Sequence, residues 1–206
     1  MKYSEKDIFA RNPEGSLEKL QKVTVGIAGA GGLGSNIAVS LVRAGIRKMI
    51  IADFDRIEPS NLNRQQFYMD QIGQKKVEAL KTNLLKINPN IQIDSCDKKI
   101  NKDNVCSIFG AADMLAEAFD RPEMNAMLAN SWLQNFPDKF FIAGSGLSGY
   151  GEFNELRVQT RGKMIVCGDQ TCENTPEIGL TAARVALVAN MQANAIIELI
   201  LDGKAT

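Results

Sequence analysis

The sequence has no histidine among its 206 residues. That absence excludes the Ser-His-Asp and Cys-His catalytic arrangements together. The four cysteines, Cys96, Cys106, Cys167 and Cys172, form no Cys-x-x-Cys pair. Without imidazole, a tetrahedral zinc site would need all four thiolates, at a spacing that gives it little support, so zinc is not expected. An excess of one charge is missing too: 24 basic side chains face 24 acidic ones. Nucleic-acid and membrane-surface proteins normally carry a basic surplus, so neither partner is expected. Long uninterrupted apolar runs are also lacking. The N-terminal segment is charged throughout, unlike a signal peptide. The longest apolar stretch, Ala182–Leu201, is broken by Arg184, Asn190, Gln192, Asn194 and Glu198, and it reads as a buried helix rather than a membrane span. A cytoplasmic protein is expected, and disulfides are not.

What remains is 45% apolar and 23% charged, enough for one globular domain over residues 1–206 with a real core. Strand and helix signals alternate along it. Segments at 23–28, 49–52, 91–93, 114–119 and 140–143 predict five strands, and residues 155–166 predict a hairpin turning near Arg161-Gly162. Helices are predicted from Leu33, Ile37 and Leu41 on one face up to Gly45, and from Val77, Leu80, Leu84 and Ile87 up to Asn88-Pro89. Others follow at 104–109, at 123–133 and near the C-terminus. This order predicts a Rossmann-like α/β fold: a mainly parallel sheet, helices on both faces, and an antiparallel extension near the end. Ligands of such sheets bind beyond the carboxyl ends of the strands. That rule places residues 29–34, Asp53, Asp120 and the loop 144–151 on one rim.

Residues 29–34 read Gly-Ala-Gly-Gly-Leu-Gly between a strand and a helix. Gly29 permits the turn, Gly31 lets backbone approach phosphate, and Gly34 lets helix and strand pack closely. The helix N-terminus adds partial positive charge. Asp53, ending the second strand, can accept from ribose hydroxyls. Taken alone, these features describe a nucleotide site with NAD as the default. The following segment, Asp53 to Phe67, favours a triphosphate, because Arg64 can fork onto phosphate oxygens and Asn61 can donate to them. Lys76, early in the next helix, brings an ammonium to the same rim.

The blocks GIAGAGGLGSN, DFDRIEPSNLNRQQ and GQKKVEAL resemble the superfamily of ubiquitin-activating enzymes and their bacterial relatives MoeB and ThiF, most of all the short form of ThiF. The resemblance runs from about Val23 to the final helix. It implies an adenylyltransferase that activates the C-terminal glycine carboxylate of a small ubiquitin-like sulfur carrier, as in thiamine biosynthesis, at the expense of ATP. Its implied contacts are Gly29, Gly31, Gly32 and Gly34 beside the nucleotide and Asp53 on the ribose. Ser60, Asn61, Arg64, Gln65 and Lys76 follow around the phosphates, and Asp120 holds magnesium. Relatives place asparagine after that aspartate; here it is Arg121. The family also lends an N-terminal arginine across a homodimer, for which Arg11 is the candidate, with an ordinary surface arginine as the alternative. Cys172 is a candidate for sulfur relay if its thiol pKa is lowered. Cys96 and Cys106 read as small packing residues.

The chemistry suits a chain without histidine. An α-carboxyl with a pKa of roughly 3.5 is already ionised at neutral pH and needs no general base. The obstacle is repulsion between two anions, which Arg64, Lys76 and a metal on Asp120 would offset. Three rivals stay open: a nicotinamide-dependent oxidoreductase, a non-catalytic nucleotide-binding module, and activation of a small-molecule or RNA-linked carboxylate.

Overall fold

The computed structural model describes residues 4–171 and 178–203. Five parallel strands were expected, and they form: β1 Thr24–Ala28, β2 Lys48–Ala52, β3 Gln92–Cys96, β4 Met114–Glu117 and β5 Phe140–Gly144. β1 and β2 are buried after their first residue and β4 throughout, which is why they read as continuous apolar runs rather than alternating ones. The hairpin is β6 Arg157–Arg161 and β7 Met164–Gly168. Its return strand pairs parallel with β5, leaving β6 antiparallel at the sheet edge. The sheet order is β3-β2-β1-β4-β5-β7-β6. The direction of winding reverses between β1 and β4, and there the strand ends open a crevice.

Helices cover both faces. α3 Gly32–Ala44, α4 Lys76–Ile87 and α7 Ala182–Leu201 pack with Val25, Ile27 and Ile51 in one apolar cluster. α5 Val105–Phe109 and α6 Pro122–Asn135 bury Phe109, Leu128 and Trp132 with Leu115 and Phe141 in the other. The α3 helix stops at Gly45, which takes the left-handed conformation (φ 110°) anticipated from the sequence. By length and composition α7 could cross a membrane, yet 56% of its apolar window is buried within the protein, against α3, β5 and β7.

Two short helices, α1 Glu5–Ile8 and α2 Ser16–Leu20, had no sequence signal long enough to predict them. They sit at the far end of α3, where Asn12 Nδ2 donates to the Ala44 carbonyl at 2.7 Å. The polar residues from Asp55 to Asp70 predict a long connection after β2. It is folded by two 3₁₀ turns, Pro59–Asn61 and Met69–Gln71, pinned by mutual bonds between the amides of Gln71 and Asn83 at 2.8 and 3.0 Å.

Candidate functional site

The crevice at the β1/β4 reversal is a cleft of about 330 Å³. Its floor is the turn after β1. Gly29 takes φ 105° there, and Gly34 packs so tightly that a Cβ would overlap the Gly29 carbonyl. Gly29, Gly31 and Gly32 line the cleft, whereas Gly34 lies behind it. The four glycines thus divide between a ligand-facing turn and a close helix–strand contact.

Asp53 ties this turn to β2. Its Oδ2 accepts from Ala30 N–H at 2.6 Å and its Oδ1 from Asp55 N–H at 2.8 Å. Each carboxylate oxygen can accept twice, so capacity remains for hydroxyl donors from the cleft. Asp55 then reaches Lys76: its backbone carbonyl accepts from Lys76 N–H at 3.0 Å, and its Oδ2 accepts from Lys76 Nζ at 2.8 Å. The Lys76 side chain is only 8% exposed. An ammonium so enclosed requires a counter-charge, which Asp55 supplies from the rim.

Arg64 and Gln65 enter from the 3₁₀-turned connection. Arg64 Nη1 is held by the Ser60 carbonyl at 3.2 Å and by Asn63 Oδ1 at 2.7 Å, which leaves the rest of the guanidinium fork for a ligand. Gln65 is buried, lines the cleft, and its Oε1 has no donor among the described residues. Asp120 stands exposed just past the end of β4, also on the cleft. Arg64, Lys76 and Asp120, from three separate stretches of chain, therefore share one cavity.

Other expected residues lie elsewhere. Ser60 and Asn61 do not line the cleft. Asn61 Oδ1 accepts from Glu58 N–H at 3.1 Å and closes the turn that presents Arg64. Arg11 is exposed beside Asn12, near the C-terminal end of α3. That 13-residue helix spans about 20 Å at 1.5 Å per residue, so Arg11 is remote from the cleft of its own chain. Cys172 lies outside the described residues. Cys167 is fully buried, and burial pushes its thiol up to about 12, so it carries essentially no thiolate at neutral pH. Cys106 is exposed rather than packed, and Cys96 is half-buried. The packing expectation fails for Cys106 because it points outward from a helix of five residues.

Sequence reasoning passed over several lining residues: Phe54 and Asp55 after β2, and Lys98 and Lys99 after β3. The carboxyl-end rule applied to the third strand would have found the lysines. With Arg121 they give the lining five basic side chains against the acids Asp53, Asp55 and Asp120, a surplus suited to a polyanion.

Among the described residues no three His, Cys, Asp or Glu side chains group to hold a metal. Asp120 is one carboxylate at an open rim. That donor set fits magnesium, which binds through one or two carboxylates together with substrate phosphates and water.

A family model described as the ThiF family matches residues 3–206. The ubiquitin-like modifier-activating enzyme 5 of Bombyx mori is 33% identical over 150 residues, covering 66% of this chain and 38% of that protein. The adenylyltransferase and sulfurtransferase UBA4 of Candida albicans is 31% identical over 157 residues, 74% of this chain and 35% of that protein. The chain thus spans little more than a third of these relatives. Among solved structures, E. coli tRNA N6-threonylcarbamoyladenosine dehydratase in complex with ATP superposes with a TM-score of 0.87 at 19% identity, covering 97% of this chain and 96% of its own. E. coli MccB with AMPCPP and MccA reaches 0.75 at 24% identity, covering 99% and 65%. These two likenesses are of fold.

Proposed function

The chain belongs to the ThiF family, and from that premise we propose that it is a cytoplasmic ATP-dependent adenylyltransferase whose residues 1–206 form one adenylation domain. Its substrate in this reading is the C-terminal glycine carboxylate of a small ubiquitin-like sulfur carrier ending in Gly-Gly. The observation that carries the proposal is the convergence of Arg64, Lys76 and Asp120 on one cleft above the glycine turn.

Each residue has a role that its placement supports. The amides after Gly29 and the α3 N-terminus receive phosphate, and Asp53 accepts from the ribose. Gln65 Oε1, buried without a donor, gains one from the nucleotide. The fork of Arg64 grips phosphate oxygens from the α3 side, and the Lys76 ammonium faces them from α4. Asp120 would hold magnesium, whose charge neutralises the phosphate chain. The carrier carboxylate, already ionised, bonds to the α-phosphorus, and the bond to the β-phosphate oxygen breaks to release pyrophosphate. No proton is transferred, so the absence of histidine costs nothing. Preorganised positive charge supplies the acceleration. The remoteness of Arg11 supports a contribution only across a homodimer, reaching a partner's cleft. A place in thiamine biosynthesis is the specific reading that the resemblance to the short ThiF form supports.

ATP–pyrophosphate exchange tests the proposal. With magnesium and a carrier ending in Gly-Gly, exchange should appear, and Asp120→Ala should abolish it while the folded state persists. Exchange that ignores the carrier, or survives the substitution, would defeat the reading.

A further inference from the structure

Behind the cleft, Glu117 ends β4 with a completely buried side chain. It stands where four elements meet. Its Oε1 accepts from Phe119 N–H at 2.6 Å, and the Gly144 N–H at the end of β5 faces the carboxyl and favours its ionised form. From α6, with its amide oriented to satisfy both ends, Asn125 donates to Glu117 Oε1 at 3.1 Å and to the Arg121 carbonyl at 2.9 Å. From α7, the buried Gln192 donates through Nε2 to the Glu117 carbonyl at 2.9 Å and to the Ile142 carbonyl at 3.1 Å. The bonds to Phe119 and Arg121 bracket Asp120 on both sides. Two acceptors in the junction, Glu117 Oε2 and Gln192 Oε1, have no donor among the described residues.

We propose that Glu117 is a positioning residue that works as a neutral carboxylic acid, clasping the ends of β4 and β5 to α6 and α7 and so fixing the turn that presents Asp120. A protonated carboxyl brings one O–H donor to a junction short of donors, and it avoids an unpaired buried charge. The surroundings agree. Burial pushes Glu117 up to about 8, against the Phe119 and Gly144 N–H groups that favour the ionised form, and Asp120 adds repulsion. From β5, α6 and α7 the facing groups are Gly144, Asn125 and Gln192, all uncharged. This role rests on the adenylation reading only for its effect on rate.

Glu117→Gln is the informative variant, because it keeps the shape and cannot ionise. Two measurements separate the inference from the functional reading. The first is stability by urea denaturation from pH 5 to 9, which needs no substrate. A carboxyl raised in the folded state contributes stability that is complete below its unfolded value and is lost as pH rises through its folded value. The wild type should therefore weaken relative to Glu117→Gln between about pH 5 and 8, with the difference levelling off above. The second is the pH profile of ATP–pyrophosphate exchange. Wild-type kcat should fall tenfold for each pH unit well above about 8, and Glu117→Gln should lack that limb, with AMP affinity equal in the two proteins. A pH-independent stability difference overturns the inference whatever the activity. Superimposable kcat profiles in an active enzyme overturn it as well. Wild type inactive with every carrier, but showing the expected stability curve, overturns the functional reading and leaves the clasp standing.

Discussion

At the scale of the residue, the site depends on cations that are held before any ligand arrives. Arg64 is steadied by a carbonyl and an amide oxygen, and Lys76 by a carboxylate. Such preorganisation matters because no reorganisation is then needed as charge develops. The two cations are not equivalent: a guanidinium offers a planar fork, whereas an ammonium is a point charge on a flexible stem. Arg64→Lys should therefore lower kcat for adenylation about 10²-fold, with little change in thermal stability, since Arg64 is not part of either apolar core. Steady-state kinetics at saturating ATP measures this. An activity within twofold of wild type would show that charge alone suffices there.

At the scale of the element, much was legible and some was not. β1, β2, β4 and β5 announced themselves because parallel strands buried on both faces need largely apolar runs, whereas β3 buries only Ile93 and gave a weaker signal. Gly29, Asp53 and Asp120 were legible because they interrupt those runs at the carboxyl ends. Asn61 is ambiguous in sequence, because an amide that can donate to phosphate can as well close a 3₁₀ turn, and spacing does not distinguish the two. Glu117 was invisible as a separate feature: in sequence it is one more residue of an apolar strand, and only the meeting of four elements gives it a role.

The loop 144–151 drew attention for its glycines, yet what anchors it is an ion pair that no local pattern reveals. Arg184, in the first turn of α7, meets Asp169 at 2.6 Å with both side chains almost wholly buried, and its Nη1 donates to the Gly151 carbonyl at 2.9 Å. Arg184→Met removes one side of a buried ion pair together with the bond to Gly151, so it should lower stability by about 3–5 kcal/mol. Urea denaturation checks it, and a loss below about 1 kcal/mol would mean that the pair is readily replaced by apolar packing.

At the scale of the whole molecule, one sheet divides the labour. The face with α3, α4 and α7 carries the glycine turn with Arg64 and Lys76, and the face with α5 and α6 carries the Asp120 turn. The cleft exists because the winding reverses between β1 and β4, so both faces contribute to it. Formal neutrality conceals this arrangement: the chain has no net charge, while the cleft has a basic surplus. Sequence counts reported the sum and could not report the placement. The central claim is that a carrier's terminal carboxylate becomes bonded to the α-phosphorus of ATP, and oxygen tracing tests it most directly. A Gly-Gly carrier whose terminal carboxylate carries ¹⁸O is incubated with the protein, ATP and magnesium, the acyl-adenylate is cleaved at its carbonyl carbon by hydroxylamine, and the released AMP is weighed. The account predicts AMP containing one ¹⁸O atom; unlabelled AMP, or ADP in its place, would contradict it.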